Sequence, residues 1–248
     1  DIIILGTSSP DRNYPSDACS VQAAIGAVNA VAFDISAACA GFIFAMNIVE
    51  GFFKAGIYKT ALIIGAETLS KVTDWSDRGT CVLFGDGAGA AVLKAEETGI
   101  IDMMMGADGT KGDVLACTSR TVGNFLTGTK PELGFMTMDG QEVFKFAVRK
   151  VPESVMELLQ RTGTKKEDIK YYVLHQANER IIEAAARRLK EPMEKFPMTI
   201  GQFGNTSTAS IPLLLNDMIQ KDMLKRGDKI IMSGFGAGMT WGAVLMEW

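Results

Sequence analysis

Short unbroken apolar runs alternate along this chain with longer stretches that carry a single apolar stripe, the pattern of strands followed by covering helices. Asp1 to Leu5 reads as a buried strand ending in the turn-rich Gly6-Thr7-Ser8-Ser9-Pro10, and a helix is expected over about Ser16 to Ile25. Further strands are predicted at Ala32 to Ile35, Ala61 to Ile64 and Gly87 to Leu93. Phe42, Met46, Val49 and Phe53 recur at helical spacing and mark an amphipathic helix after the second strand. The pattern restarts near Gly99. It gives a strand (Ile100 to Gly106), a long polar loop, a helix (about Gln141 to Arg161, with Pro152 a candidate kink) and a strand (Tyr171 to Leu174). Then come a helix (Glu179 to Leu189), a strand (Pro197 to Ile200), a helix (about Ser207 to Ile219) and strands Lys229 to Met232 and Trp241 to Glu247.

The two runs overlay. Ile2-Ile3-Ile4-Leu5-Gly6 answers Tyr172-Val173-Leu174-His175, and the elbow around Cys39 answers the one at Gly204-Asn205-Thr206-Ser207. The chain therefore reads as a duplicated α/β unit, with an N-terminal half over 1–98 and a C-terminal half over 99–248. The second half has a strand and a long helix before Tyr171, whereas the first begins abruptly at Asp1 without an initiator Met. The expectation is that a strand and helices of the first half are missing, which would leave an exposed sheet edge and a poorly folding fragment.

Composition narrows the function classes. The 248 residues are 47% hydrophobic and 22% charged, enough for a substantial core. No apolar run reaches bilayer length and no signal-peptide layout opens the chain, so a cytoplasmic protein without a membrane partner is expected. A net charge of −4 argues against nucleic acid. The four cysteines lie far apart with no CxxC, so neither zinc nor a disulfide framework is indicated, and Cys19, Cys81 and Cys117 receive no role. Gly85-Asp86-Gly87-Ala88-Gly89 leads into a strand rather than a helix, so it reads as a tight turn in the core and not as a dinucleotide site.

Candidate chemistry begins at Cys39, in Ser36-Ala37-Ala38-Cys39-Ala40-Gly41-Phe42, where small neighbours leave room for an acyl group. The following helix N-terminus favours a thiolate, so a lowered thiol pKa is expected. A lone Cys in an Ala-rich run is more often an inert core thiol, a lone histidine such as His175 is weak evidence, and Gly-Asn-Thr-Ser is ordinary turn chemistry. Ligands of open α/β sheets gather at strand carboxyl ends, and Cys39, His175 and Asn205 each follow a predicted strand. Their equivalence in a duplicated unit points to one site.

Ser36 to Phe42, His175-Gln176-Ala177-Asn178, Gly204-Asn205-Thr206-Ser207 and Gly234-Phe235-Gly236-Ala237-Gly238-Met239-Thr240-Trp241-Gly242 together resemble the signatures of the β-ketoacyl-acyl-carrier-protein synthase III family, over the whole chain and in order. The resemblance implies a thiolase-like fold, layered α-β-α-β-α. It implies decarboxylative condensation of an acyl-CoA primer with malonyl-acyl-carrier-protein through an acyl-Cys39 intermediate, with no cofactor. His175 and Asn205 would donate hydrogen bonds to the developing enolate, and the backbone N–H groups of Cys39 and Ala237 would form the oxyanion hole. Many members have glycine where this chain has Ala237, and the missing N-terminal segment would supply one wall of the CoA channel.

By the same resemblance Arg78 would stack on the CoA adenine, and Gly140, Phe144 and Asn178 would line the pantetheine channel. Tyr14 would reach across a homodimer to cap the partner's acyl pocket, which Phe235 also borders. Arg180, Arg187 and Arg188, with Lys145, form a cationic patch suited to the acidic acyl carrier protein; on charge alone the patch reads as a solvated helix face. Two alternatives stay open: a related thiolase-fold acyltransferase of polyketide or 3-hydroxy-3-methylglutaryl-CoA-synthase type, and a non-catalytic scaffold that binds the carrier protein.

Overall fold

Alternation along the strands decides the layering. The computed structural model describes residues 1–118 and 121–248. Its first half runs β1 (Ile2–Gly6), α1 (Asp17–Ala24), β2 (Val31–Ile35), α2 (Gly41–Lys54), β3 (Thr60–Glu67) and β4 (Gly87–Lys94). The second runs β5 (Ile100–Ala107), β6 (Leu115–Cys117), β7 (Met136–Met138), α3 (Gly140–Thr162), β8 (Ile169–Leu174), α4 (Glu179–Leu189), α5 (Ile200–Phe203), α6 (Ser210–Gln220), β9 (Lys229–Gly236) and β10 (Thr240–Glu247). The strands form two four-stranded sheets, ordered β2-β1-β3-β4 and β5-β10-β9-β8, and a small β6-β7 ribbon.

On β1, Ile2 and Ile4 face one way and Ile3 and Leu5 the other, because successive side chains alternate across a sheet. Ile2 and Ile4 join Phe42 and Met46 of α2, Ile211 and Leu214 of α6, and Val173, Ile230, Met232 and Val244 of the second sheet in one core. Ile3 and Leu5 pack under Ala18 of α1. The opposite faces of β8, β9 and β10, through Tyr172, Leu174, Ile231 and Leu245, bury the apolar stripes of α3 and α4. The layers are therefore α1, first sheet, α2 with α6, second sheet, and α3 with α4, the five-layered arrangement that the family resemblance implies.

The sheets match strand for strand: β1 with β8, β3 with β9, and β4 with β10. In both, the first of these pairs the second in parallel and the second pairs the third antiparallel. The duplication breaks where a strand is expected at Pro197 to Ile200. Those residues are coil running into α5, because the buried Gln176 side chain takes up the N–H groups of Thr199 (2.8 Å) and Ile200 (3.2 Å). Backbone donors spent on a side chain are not available to a ladder. The loop expected after Gly106 also contains the β6-β7 ribbon.

Helix α3 continues through Pro152, the candidate kink. A proline lacks the N–H that would pair with the carbonyl four residues earlier, here Val148. Arg188 of α4 donates to that carbonyl at 2.8 Å. The orphan acceptor is thus satisfied from the neighbouring helix, and one arginine of the expected cationic patch has a structural partner.

Candidate active site

Strand β9 and two similar turns carry the three candidates: Cys39 and His175 rest on β9, and Asn205 holds the Ser207 turn. Cys39 sits in a single 3-10 turn, Ala38–Ala40, that opens α2. Ala38 has φ +45°, a left-handed conformation that non-glycine residues seldom adopt. Ser207 has φ +48° and opens a second 3-10 turn, Ser207–Ala209, that leads into α6. The two elbows anticipated in the sequence are thus the same backbone device. Their register places Thr208, rather than Asn205, at the position equivalent to Cys39.

Strand β9 supports both the nucleophile turn and the histidine. A Cβ on Gly236 would lie 2.6 Å from Cys39 N, so only glycine allows the turn to rest on the strand. Ser233 O accepts the His175 backbone N–H at 2.8 Å, and the Phe235 ring meets the imidazole edge-to-face, centroids 5.4 Å apart. Ala237 follows β9; its carbonyl and that of Ala37 lie 3.0 and 3.1 Å from the single Thr240 hydroxyl, which bridges the Ala237 turn and the start of the Cys39 turn.

Asn205 is fixed from two directions. Its backbone N–H donates to Leu83 O (2.9 Å) and its carbonyl accepts from Gly85 N (3.0 Å), so the glycine run read as a core turn is a clamp on this residue. Its side-chain Oδ1 accepts the Ser207 N–H at 2.9 Å. Only the amide oxygen can accept there, so the NH2 group is left to donate.

Electrostatics corrects one expectation. The Cys39 thiol is not lowered: burial pushes it up to about 12, and the Glu67 carboxylate adds to the rise, while the Ser207 hydroxyl and the Cys39 N–H pull the other way. Only 6% of the residue is exposed, and the cost of removing a charge from water exceeds what one helix N-terminus returns. His175, 2% exposed, is held neutral, with its pKa lowered to about 3 by burial. Its Nδ1 lies 2.6 Å from Ser210 Oγ.

Glu67, at the end of β3, is a residue the sequence reading missed. Its Oε2 accepts from Ser9 Oγ (2.7 Å), Ser8 N (3.0 Å) and Thr7 Oγ1 (3.4 Å), and its Oε1 from Thr208 Oγ1 (2.9 Å). Thr208 Oγ1 also contacts Ala38 O at 2.8 Å, so one hydroxyl links the buried carboxylate to the residue before Cys39. The available signal was the hydroxyl run Thr206-Ser207-Thr208 and Ser210 at a helix start, which reads as capping chemistry.

The outlying candidates scatter. Gly140 lines an open cavity of about 800 Å³ together with Gly79, the neighbour of Arg78. Arg78 is exposed on a turn braced by the Asp77 carboxylate, which accepts from Gly79 N and Thr80 Oγ1 at 2.8 Å each. Phe144 is partly exposed on α3. Asn178 caps α4, accepting the Arg180 N–H at 2.9 Å. Lys145 pairs with Glu142 (2.8 Å) and Arg187 with Glu183 (3.6 Å), whereas Arg180 is exposed with no ion pair among the described residues. Tyr14 is exposed, 86%, on the loop before α1. No helix among the described residues is long and apolar enough to cross a membrane.

Known proteins resemble this chain over its whole length. Residues 33–109 match the family model described as 3-oxoacyl-(acyl-carrier-protein) synthase III, and residues 159–248 match the C-terminal model of the same family. The beta-ketoacyl-(acyl-carrier-protein) synthase III of Clostridium acetobutylicum is 51% identical, and that of Clostridium novyi 52%, each over all of this chain and 77% of the relative's length. The crystal structure of 3-oxoacyl-(acyl-carrier-protein) synthase III from Aquifex aeolicus superposes with a TM-score of 0.91 at 45% identity, again over 100% of this chain and 77% of that one.

Proposed function

The chain belongs to the 3-oxoacyl-(acyl-carrier-protein) synthase III family, and from that premise we propose how Cys39, His175 and Asn205 divide the chemistry. The protein is an acyltransferase, a β-ketoacyl-acyl-carrier-protein synthase III that initiates fatty acid synthesis. Cys39 Sγ attacks the carbonyl carbon of the acyl-CoA primer. The bond to the CoA sulfur breaks, and the thiol proton leaves with that sulfur. Backbone N–H groups of Cys39 and Ala237 stabilise the intervening oxyanion.

In the second half-reaction the malonyl group on the carrier protein loses CO2, and the electron pair of the broken C–C bond forms an enolate. A ring N–H of His175 and the amide of Asn205 donate to its oxygen. Its carbon attacks the acyl-Cys39 carbonyl, Sγ leaves as thiolate and takes a proton from solvent, and 3-oxoacyl-carrier protein departs. The electrons come from the substrate, so the step calls on no cofactor.

The observation that carries this reading is the pairing of a neutral, buried imidazole with an amide whose oxygen is already spent on Ser207 N. Donors, rather than a base, are what an enolate oxygen requires. Supporting the partners, Arg180 and Arg187 are exposed on the helix that follows His175, a surface suited to an acidic carrier protein. Arg78 and the cavity beside Gly140 suit the nucleotide and pantetheine of CoA, with Phe144 and Asn178 along the arm. The exposed Tyr14 suits a homodimer in which it caps the neighbour's acyl pocket.

Intact-protein mass spectrometry after incubation with acetyl-, isobutyryl- and longer acyl-CoAs tests the assignment. An acyl adduct that vanishes in Cys39→Ser is expected, and the set of accepted chains names the primer. A folded protein that takes no adduct from any acyl-CoA would sink the assignment of Cys39.

A further inference from the structure

We propose that Ser210 is a positioning residue that holds His175 in the tautomer with its ring proton on Nε2, the form able to donate to the enolate. The inference rests on the reading of His175 as a hydrogen-bond donor and adds the reason that it can act as one. Neutral imidazole carries one N–H, and which nitrogen bears it is set by the partner of the other. Here that partner is Ser210 Oγ, 2.6 Å from Nδ1.

Direction follows from what surrounds the hydroxyl. Ser210 is 2% exposed. Among the described residues its Oγ has two hydrogen-bond partners, His175 Nδ1 and the backbone N–H of Gln176 at 3.4 Å. The Gln176 N–H can only donate, so it occupies a lone pair of the oxygen. Of these two partners among the described residues, Nδ1 is the one that can accept the hydroxyl proton. Were Nδ1 protonated, it too would donate into Oγ, and a buried hydroxyl proton would be left without an acceptor, an arrangement folded proteins avoid. Ser210 therefore donates, Nδ1 accepts, and the ring proton sits on Nε2.

The ring's place is set by further contacts. The His175 backbone is tied to Ser233 O, and Phe235 packs edge-to-face on the imidazole. Ser210 itself is the first residue of α6 and is buried beside the Ser207 turn, so its oxygen is carried by the same rigid element that orients Asn205. Burial keeps the ring neutral, so the choice of tautomer remains open to a single neighbour.

His175 is the one histidine in the chain, which makes its tautomer directly observable. With 15N-labelled histidine at neutral pH, NMR is expected to show a protonated Nε2 and an unprotonated, hydrogen-bonded Nδ1. A proton on Nδ1 overturns the proposal without any variant. In Ser210→Ala, acyl loading of Cys39 from acetyl-CoA is expected to persist while kcat for condensation with malonyl-acyl-carrier-protein falls on the order of 10- to 100-fold, the size typical of outer partners of working histidines. Condensation at the wild-type rate overturns the proposal, as does equal loss of both half-reactions, which would make Ser210 only structural. Wild-type protein that loads no acyl group refutes the functional reading itself and is told apart because the NMR result does not depend on it.

Discussion

The turn that carries Cys39 and the turn that begins at Ser207 share a backbone and divide the labour. Each opens with a non-glycine residue at positive φ, Ala38 at +45° and Ser207 at +48°, passes through three 3-10 residues and enters a helix of the central layer. Equivalent positions read Ala38-Cys39-Ala40-Gly41 in one and Ser207-Thr208-Ala209-Ser210 in the other. The first presents a nucleophile among side chains that cannot interfere with it. In the second the hydroxyls are polar partners: Thr208 reaches Ala38 O and Glu67, Ser210 meets His175, and Ser207 favours the Cys39 thiolate. A duplicated backbone thus became one turn for reaction and one for control, and the difference lies in which side chains can hydrogen-bond.

The strongest test exchanges the nucleophile between the turns. Cys39→Ala with Thr208→Cys places a thiol at the equivalent position, and no acyl adduct is expected by mass spectrometry, because position 208 faces the Glu67 carboxylate. An adduct there would break the distinction between the turns.

Next in size, Asn205→Ala removes one enolate donor while leaving Cys39 in place. Acyl loading should survive, and kcat for condensation should fall by roughly 10²- to 10³-fold, as for loss of one preorganised donor elsewhere. Parallel loss of loading would place Asn205 in the first half-reaction instead.

The smallest effects concern the thiol. With its pKa raised to about 12, Cys39 should react with iodoacetamide about tenfold faster per pH unit from pH 7 to 10, with no plateau near the ordinary thiol value of 9.0. Two variants should move this line in opposite directions. Ser207→Ala removes a group that favours the thiolate and so slows alkylation at every pH, whereas Glu67→Gln removes a nearby negative charge and speeds it. A plateau below pH 9 in the wild-type protein would restore the helix-terminus expectation.

Local pattern carried most of the fold. The apolar runs of β1, β8 and β9, the stripe of α2 and the small-residue elbow are each written within a dozen residues, and the structure follows them. The strand expected at Pro197 to Ile200 failed because its donors are taken by Gln176, more than twenty residues earlier. The carbonyl that Pro152 leaves orphaned is met across a similar separation, by Arg188 of another helix.

The sequence by itself determined most of the strands, the duplicated unit, and Cys39, His175 and Asn205 as candidates, because residue type and apolar pattern are local facts. Tertiary structure alone decided the protonation of the thiol, the tautomer of the imidazole and the direction of the Asn205 amide. Those depend on burial and on hydrogen bonds such as Thr208 to Ala38, which joins residues 170 positions apart. Electrostatic and hydrogen-bond energies follow distance in space, and one strand of sequence does not contain that distance.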